Sequence, residues 1–380
     1  MLKCGIVGLP LCGKSTIFNV ITRAGAEVKP YTGGKTEPNR ALVSVPDTRF
    51  DKLVEIFEPR KATPATVEFV DLAGLSRGAG KGAGLGNSFL SFVSEADALL
   101  HVVRLFENPD VPHPEETIDP LRDWRIVETE LIYRDLGVIE NRLNRLSAKK
   151  KNTLEESAEA VFLKKLQDHL LEELPLREYP LTEDQKRTLA GFAFLTLKPE
   201  LVVLNMNEPE TGGYVNLTPR AESLETALRE KGLSSVRIFG SLEMDLAQLE
   251  PEEQAEFMKD LSIEKPGRDR LIHEAYRLLG LISFFTSGKD EVRAWTLRAG
   301  AHAVDAAGAI HSDLARGFIR AQVVAYGEFI RIYTQGAFLP GDPRAGGATL
   351  SACRDKGVLR LEGKEYLVQD GDMIEIRFNV

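Results

Sequence analysis

Apolar residues recur along this chain with two different periods, and these periods divide it into segments. Short runs that are mainly apolar predict buried strands. Such runs lie at residues 2–7, 41–45, 66–70, 98–104, 201–204 and 236–239. Helical spacing follows the first run, at Ile17, Val20 and Ile21, and a short helix is predicted over residues 47–57. Strands that alternate with helices predict an α/β fold with a mostly parallel sheet.

The pattern changes between residues 119 and 197. Apolar residues there recur every three or four positions, at Ile132, Leu136, Ile139, Leu143 and Leu146. This spacing predicts one long helical arm. A polar tip with three lysines, residues 149–152, precedes a second arm with apolar residues four apart, from Phe162 to Leu170. We predict an inserted α-helical hairpin followed by a third helix over residues 183–196, because strand signals resume after it.

The last hundred or so residues return to short strands. Strands are predicted at residues 281–286, 292–297 and 318–325, with two more within 358–380, and a helical stretch lies around residues 310–315. Mixed strands around one helix indicate a ubiquitin-like β-grasp domain. The predicted organisation is therefore a first domain built from residues 1–118 and 198–280, a helical insertion at 119–197, and a β-grasp domain at 281–380.

Composition limits the class of protein. The chain has 380 residues, 43% hydrophobic and 28% charged, which is typical of a soluble protein with more than one core. The net charge of −9 argues against general coating of nucleic acid but is compatible with a local basic face. Three scattered cysteines, the lack of an apolar run of membrane-spanning length and the lack of a leader-like start predict a cytoplasmic protein with no membrane partner.

The segment between the first strand and the first helix carries the strongest chemical signal. Residues 8–15 have the spacing G-x4-G-K-S of a phosphate-binding loop. Its backbone amides and the following helix attract phosphate, Lys14 adds a charge near the β- and γ-phosphates, and the Ser15 hydroxyl ligates Mg²⁺. The alternative is a glycine turn that only packs a strand on a helix. The residues predicted to bind nucleotide here are Leu11, Cys12, Gly13, Lys14, Ser15 and Thr16, and Lys14 is also a catalytic candidate.

Two further segments match the switches of phosphate-loop NTPases. Thr36, in the polar loop at residues 28–39, is a candidate Mg²⁺ ligand, although an ordinary surface loop is the alternative. Asp71, at the end of a strand, is expected to hold Mg²⁺ through water, and the Gly74 N–H to sense the γ-phosphate. The glycine-rich residues 75–87 are either a second switch or a flexible linker. Leu75 occupies the position of the water-orienting Gln of Ras-type GTPases, so hydrolysis is predicted to be slow without a partner or another residue.

Residues 205–208 lie where guanine-selective GTPases have Asn-Lys-x-Asp. Here Met206 replaces the lysine and Glu208 the aspartate, and a longer carboxylate does not fit the guanine edge in the same way. The segment therefore argues against strict guanine selection without proving adenine. Asn205 and Ser241 complete the predicted base site, and Ser241 lies in the final base-contacting loop. His113, in a proline-rich loop, is within reach of the water near the γ-phosphate, although solvent exposure alone is the alternative for a lone loop histidine.

Together these motifs resemble one family, the YchF-type Obg-like ATPases. The resemblance covers essentially the whole chain and is carried by the phosphate loop, Asp71-Leu72-Ala73-Gly74, Asn205-Met206-Asn207-Glu208, Arg293-Ala294-Trp295-Thr296, Ala307-Gly308-Ala309-Ile310-His311, Asp370-Gly371-Asp372 and Phe378-Asn379-Val380. It implies a P-loop NTPase G domain with an inserted helical hairpin and a C-terminal TGS domain. It also implies Mg²⁺ dependence, ATP preferred over GTP, ribosome association, and a loop histidine, matching His113, that takes part in hydrolysis.

Two positions depart from the family pattern. Leu11-Cys12 stands where the family has Asn-Val, and that Asn is associated with a monovalent cation, so potassium dependence does not carry over. The switch threonine of the family aligns with Lys35, so either Thr36 substitutes for it or Mg²⁺ lacks that ligand.

The expectation is a slow Mg²⁺-dependent ATPase that acts as a nucleotide switch and associates with ribosomal RNA or proteins. The lysine tip and a basic cluster in the TGS region are candidate RNA contacts; the alternatives are a solvated turn at the tip and scattered surface charges in the cluster. The members of that cluster are Arg293, Arg298, His302, His311, Arg316 and Arg320. The alternatives are a translation GTPase of the same fold and a non-catalytic, nucleotide-gated adaptor.

Overall fold

A computed structural model describes residues 2–22, 27–29, 39–71, 93–207, 219–261, 263–334 and 352–379. Several predicted features lie outside the described residues, namely Thr36 with its loop, Gly74, Leu75 with the glycine-rich segment, and Glu208. The chain forms two compact units. One consists of Met1–Val43 and Glu68–Ala275, and the other of Ser44–Val67 and Tyr276–Val380.

The strands and helices of the described ranges are numbered in chain order. The strands are β1 (Lys3–Val7), β2 (Glu27–Lys29), β3 (Asn39–Ser44), β4 (Lys61–Thr63), β5 (Thr66–Asp71), β6 (Ala98–Arg104), β7 (Glu200–Met206), β8 (Ser234–Phe239), β9 (Leu281–Ser287), β10 (Glu291–Arg298), β11 (Phe318–Ala325), β12 (Arg360–Glu362) and β13 (Asp372–Phe378). The α-helices are α1 (Lys14–Thr22), α2 (Thr48–Phe57), α3 (Pro120–Ser147), α4 (Leu154–Leu171), α5 (Glu183–Leu189), α6 (Pro219–Glu230), α7 (Gly240–Leu246), α8 (Pro251–Asp260), α9 (Gly267–Leu278), α10 (Ala303–Ile310), α11 (Ser312–Arg316) and α12 (Tyr326–Ile332).

The first sheet has the order β2-β3-β5-β1-β6-β7-β8 within the described ranges. Strand β1 pairs in parallel with β5 and β6, β6 with β7, and β7 with β8, whereas β2 and β3 are antiparallel. Every residue of β6 and β7 is buried, as expected of central strands covered on both faces. The predicted α/β fold is confirmed. Since parallel strands end at one edge, the segments after β1, β6 and β7 meet there, and Asp71 ends β5 at the same edge.

The helical hairpin predicted from the sequence is present as α3 and α4, which pack through the predicted apolar stripe. Thr153 begins α4 with a capping box, in which its hydroxyl accepts a hydrogen bond from the Glu156 N–H. The third predicted helix was too long, because α5 ends at Leu189 instead of residue 196. After it, a 3₁₀ turn leads to Ala193 with φ of 51°, and Asp135 accepts the Thr196 N–H at 2.8 Å, so residues there bond outside a helix.

The second sheet has the order β12-β11-β13-β9-β10-β4 among the described residues. Strand β4 adds in parallel to β10, and the Phe57 ring of α2 stacks on Phe329 with centroids 5.8 Å apart. The prediction that residues 1–118 belong to the first domain is corrected by this pairing, because residues 44–67 fold with the C-terminal unit. The single helix predicted near residue 310 is two helices, α10 and α11, separated by His311 in an extended conformation.

Among the described residues, no helix combines the length and apolar character that crossing a membrane requires.

Candidate nucleotide-binding site

The turn between β1 and α1 depends on its glycines. Gly8 and Gly13 have φ of 146° and 96°, a region that side chains rarely adopt. A Cβ on Gly8 would lie 2.3 Å from the Val102 carbonyl oxygen, and one on Gly13 would lie 2.1 Å from Nδ2 of Asn205. The loop therefore curves so tightly under the neighbouring strands that only glycine fits at these two positions.

Lys14 is held on the inner side of this loop. Its ammonium donates hydrogen bonds to the carbonyl oxygens of Gly8, at 3.0 Å, and Leu9, at 2.7 Å, and the side chain is buried. Both acceptors are neutral, and hydrogen bonds between charged groups are stronger than those to neutral carbonyls. A phosphate oxygen can therefore compete for this ammonium, as the predicted role of Lys14 requires.

A cavity of about 720 Å³ opens beside the loop, within the size range of small-molecule sites. Its walls come from four places: the phosphate loop with the start of α1, the segment after β6, the end of β7, and the start of α7. Of the predicted nucleotide-binding residues, the structure brings Leu11, Gly13, Lys14, Ser15, Thr16, Asn205, Met206 and Ser241 together in this lining. Residues distant in sequence thus form one concave site at the carboxyl edge of the sheet.

Cys12 differs from the other predicted loop residues, since it does not line the cavity. It is buried beneath the loop, and burial raises the pKa of its thiol despite the opposing charge of Lys14. The thiol therefore stays protonated at neutral pH. Its backbone carbonyl accepts a hydrogen bond from the Asn205 amide at 3.1 Å, which ties the end of β7 to the phosphate loop.

Seven lining residues were not among the predicted site residues, and four of them form the wall after β6: Pro10, Phe106, Glu107, Asn108, Val111, Asn207 and Gly240. Buried Arg104 fixes this wall, because its guanidinium lies 4.3 Å from the Phe106 ring centroid and donates to the Val111 carbonyl at 2.8 Å. The Asn207 side chain accepts the Glu107 N–H at 2.6 Å. A sequence signal existed for the residues that follow the ends of β6 and β7, where parallel sheets place ligands.

Asp71 is buried as the last residue of β5, and the register pairs it with Ile6 of β1, just before the phosphate loop. A carboxylate and the exposed Ser15 hydroxyl are hard oxygen donors, which suit Mg²⁺. The donor chemistry of these two residues therefore fits the predicted metal, with Thr36 outside the described residues.

His113 does not line the cavity. Its Nε2 lies 2.9 Å from Oδ2 of Asp123 on α3, and its Nδ1 accepts the Glu115 N–H at 3.1 Å. The side chain is only 5% exposed, so the simple alternative of a solvent-exposed loop histidine is wrong. The structure places this catalytic candidate near the site but turned toward α3.

A second group of titratable residues is buried between β6, β7 and α3. His101 Nδ1 lies 2.8 Å from Oε1 of Glu200, and Glu128 completes a trio whose ligand atoms lie within 4.8 Å of one another. The Arg177 guanidinium contacts both carboxylates. It fills the position that a cation would take, so the group is an ion-pair network linking the hairpin to the sheet.

Comparison with known proteins agrees with this site. A family model described as "50S ribosome-binding GTPase" matches residues 3–168, and the YchF-GTPase_C model, described as a protein of unknown function, matches residues 281–379. Proteins named "Ribosome-binding ATPase YchF" from Haemophilus ducreyi and Bacillus subtilis are each 42% identical over 100% of this chain, covering 99% and 100% of their own lengths. The chain belongs to the YchF family.

A solved YchF structure has the same fold. The Schizosaccharomyces pombe YchF GTPase is 32% identical to this chain and superposes with a TM-score of 0.82. The match covers 99% of this chain and 97% of the S. pombe chain. The YchF resemblance inferred from the motifs is thereby confirmed, together with the P-loop NTPase fold class. The two bacterial relatives are named ATPases and the S. pombe protein a GTPase, so the names leave the choice of base to the residues of the site.

Proposed function

We propose that this protein is a Mg²⁺-dependent P-loop ATPase that hydrolyses ATP to ADP and acts as a nucleotide switch on the ribosome. The single observation that carries the proposal is the continuous cavity from Lys14 to Met206, with phosphate chemistry at one end and no lysine at the base end. The names of the YchF relatives, which mention ribosome binding and ATPase activity, support the same conclusion.

The phosphate end uses the loop amides and Lys14. Amides around Gly13 and the start of α1 hold the phosphate oxygens, and Lys14 leaves its two carbonyl partners for the β- and γ-phosphates. Ser15 and Asp71 would hold Mg²⁺, with Thr36 as the third candidate ligand. When bound, the metal neutralises charge that develops on the phosphates. The Gly74 N–H would sense the γ-phosphate, so loss of that group on hydrolysis would release the switch segments.

The base end favours adenine over guanine. Met206 offers an apolar surface in place of the lysine stem, and Glu208 replaces the aspartate that reads guanine. Asn205, already bonded to the phosphate loop, couples the two ends, and Ser241 closes the lining. Phe106 adds an aromatic ring to this wall, held by Arg104.

Leu75 cannot orient a water molecule, so hydrolysis needs another residue, and His113 is the candidate. The ribosome is the proposed partner, which implies a cytoplasmic location. The lysine tip and the C-terminal unit, assigned as a TGS domain, are the proposed RNA contacts. Lys149 at the tip pairs with Glu156 at 2.6 Å, whereas Arg293 lies 3.8 Å above the Trp295 ring, an arrangement suited to stacking.

Competition between ATP and GTP for the wild-type site tests the base assignment. We expect ATP to bind more tightly with Mg²⁺ present. The double variant Met206→Lys/Glu208→Asp, which restores the guanine-reading pair, should shift the preference toward GTP by about tenfold or more. The matched control is Phe257→Lys/Glu256→Asp, which makes the same kinds of change at exposed positions of α8 outside the lining. A clear GTP preference of the wild-type protein would contradict the proposal and support the translation GTPase.

The second alternative, a non-catalytic adaptor, is favoured by the apolar Leu75. Turnover measured with and without ribosomes, against Asp71→Asn, separates the two. Hydrolysis no faster than in that variant under both conditions would leave a nucleotide-gated adaptor.

A further inference from the structure

The loop that carries His113 is fastened to the first turn of α3. Arg122 donates hydrogen bonds to the Thr117 carbonyl at 2.5 Å and to the Thr117 hydroxyl at 3.0 Å. Its guanidinium also binds Oδ1 of Asp123, at 2.7 and 3.0 Å. Asp119 caps the helix through the Arg122 N–H at 3.1 Å. The loop and the helix start are thus one hydrogen-bonded assembly.

Within this assembly, both ring nitrogens of His113 contact other residues. Nδ1 accepts the Glu115 N–H, so in the neutral ring the hydrogen lies on Nε2, which faces Oδ2 of Asp123 at 2.9 Å. This is a close contact and not a hydrogen bond of good geometry, since no described residue donates a hydrogen bond to that buried oxygen. A general base needs a free ring nitrogen beside the attacking water. In this arrangement Nδ1 is occupied by the Glu115 N–H, and Nε2 lies against the Asp123 carboxylate instead of lining the cavity.

We propose that Asp123 is a positioning residue that holds His113 out of the cavity, so that hydrolysis requires this contact to open. The proposal rests on the role assigned to His113 under the proposed function. No catalytic role is given to Asp123 itself, which acts through the histidine.

Two contacts make the opening reversible. When His113 leaves, Asp123 keeps Arg122 as a charged partner, so no buried carboxylate is left uncompensated. On the other side, Val111 lines the cavity and stays anchored through its carbonyl to Arg104 at 2.8 Å. His113 is two residues beyond this anchor, so rotation within residues 112–117 can move the ring without moving the cavity wall.

The test is to remove the carboxylate and measure steady-state ATP hydrolysis. Asp123→Ser should raise kcat about tenfold, the size expected when one contact with a charged group no longer holds the closed state, with KM for ATP unchanged. Asp123→Asn keeps a polar group of the same size beside Nε2 and should give a smaller increase. The matched control is Asp119→Asn, which weakens the same helix start without touching His113 and should leave kcat unchanged.

A spectroscopic measurement shows whether the histidine has moved. Side-chain ¹⁵N signals of His113, assigned by comparison with His113→Asn, should show one fixed Nε2–H tautomer in the wild type and tautomer averaging in Asp123→Ser. Unchanged signals in that variant would overturn the proposal, whether or not turnover changes. Equal effects of Asp119→Asn and Asp123→Ser would also overturn it, because both would then act on helix stability.

The double variant Asp123→Ser/His113→Ala should turn over no faster than His113→Ala. If His113→Ala alone does not slow hydrolysis, the assigned role of the histidine fails and the positioning role fails with it. If His113→Ala slows hydrolysis while Asp123→Ser does not raise it, only the positioning role is overturned.

Discussion

At the scale of single residues, the site depends on two glycines that no other residue can replace. Gly8 and Gly13 combine a left-handed backbone with neighbours closer than any Cβ tolerates. Leu11, between them, has φ of 62° although it carries a side chain. A non-glycine residue in that region costs of order 1 kcal/mol, so backbone strain is concentrated where phosphate is expected to bind.

Gly13→Ala should abolish tight ATP binding and lower the free energy of unfolding by about 2–4 kcal/mol, because its Cβ would meet the Asn205 amide that ties β7 to the loop. Gly232→Ala is the matched control. It has φ of 70° but nothing within 4 Å of its Cβ, so only about 1 kcal/mol of strain is expected. Denaturant unfolding measures the free energy of unfolding of both variants, and nucleotide titration measures their affinity for ATP. Equal losses in the two variants would contradict the steric explanation.

At the scale of elements, the buried network of His101, Glu128, Arg177 and Glu200 joins α3 and the residues after α4 to strands β6 and β7. Trp124 adds a hydrogen bond from its indole to Glu200 at 3.1 Å. Two carboxylates share one guanidinium here. Burial and the Glu200 charge raise the pKa of Glu128, whereas Arg177 and His101 outweigh burial and lower the pKa of Glu200 to about 2.

These opposite shifts predict a pH dependence of stability. The contribution of Glu128 is complete below its ordinary pKa of 4.5 and is lost as the pH rises through its raised value in the folded protein. The contribution of Glu200 to stability is lost only at lower pH, as the pH falls toward its pKa of about 2. The free energy of unfolding should therefore fall as the pH rises above about 5, and Glu128→Gln should flatten this slope. Lys231 also faces Glu128, and its charge opposes the rise of the Glu128 pKa.

Urea unfolding at several pH values between about 5 and 8 measures this slope. The matched control is Glu225→Gln, which alters a partly exposed pair with Arg237 at 2.6 Å and should keep the wild-type slope. A slope that persists in Glu128→Gln would show that another group is responsible.

Some elements of the fold can be predicted from the sequence and others cannot. The phosphate loop, the central strands and the α3–α4 hairpin were predictable, because each is specified by local spacing. The non-helical path of residues 195–196, which the sequence predicted as helix, was not, since their N–H groups bond to Asp135, about sixty residues earlier in the chain. Phe106 and Asn207 were missed for the same reason, because their place in the cavity depends on how β6 and β7 end side by side.

At the scale of the whole molecule, the chain contributes to each unit in two pieces. Residues 44–67 leave the first unit after β3 and return to it through β5, and their helix and strand pack on β9 and β10. Arg49 holds this piece in place. Its guanidinium binds Asp47 and Asp370, each at 2.8 Å, and lies 5.5 Å from the Phe285 ring centroid.

Arg49→Ala should therefore lower the stability of the C-terminal unit by about 1–2 kcal/mol, a value reduced for the partial exposure of the pair. Lys52→Ala, one turn along α2, breaks only an exposed contact with Glu55 and should cause no measurable change. Hydrogen exchange of the β9 and β10 amides distinguishes the two. Equal protection in wild type and Arg49→Ala would contradict the role of Arg49.

The division of the second unit has a consequence for biosynthesis. Strand β4 and the apolar side of α2 leave the peptidyl transferase centre long before β9 and β10 have been translated, since more than two hundred residues separate them. While those residues are being added, this piece lacks its partner strands. Its apolar side must not bind other surfaces during that time, and the second unit can reach its final form only after β9, β10 and β13 have been translated.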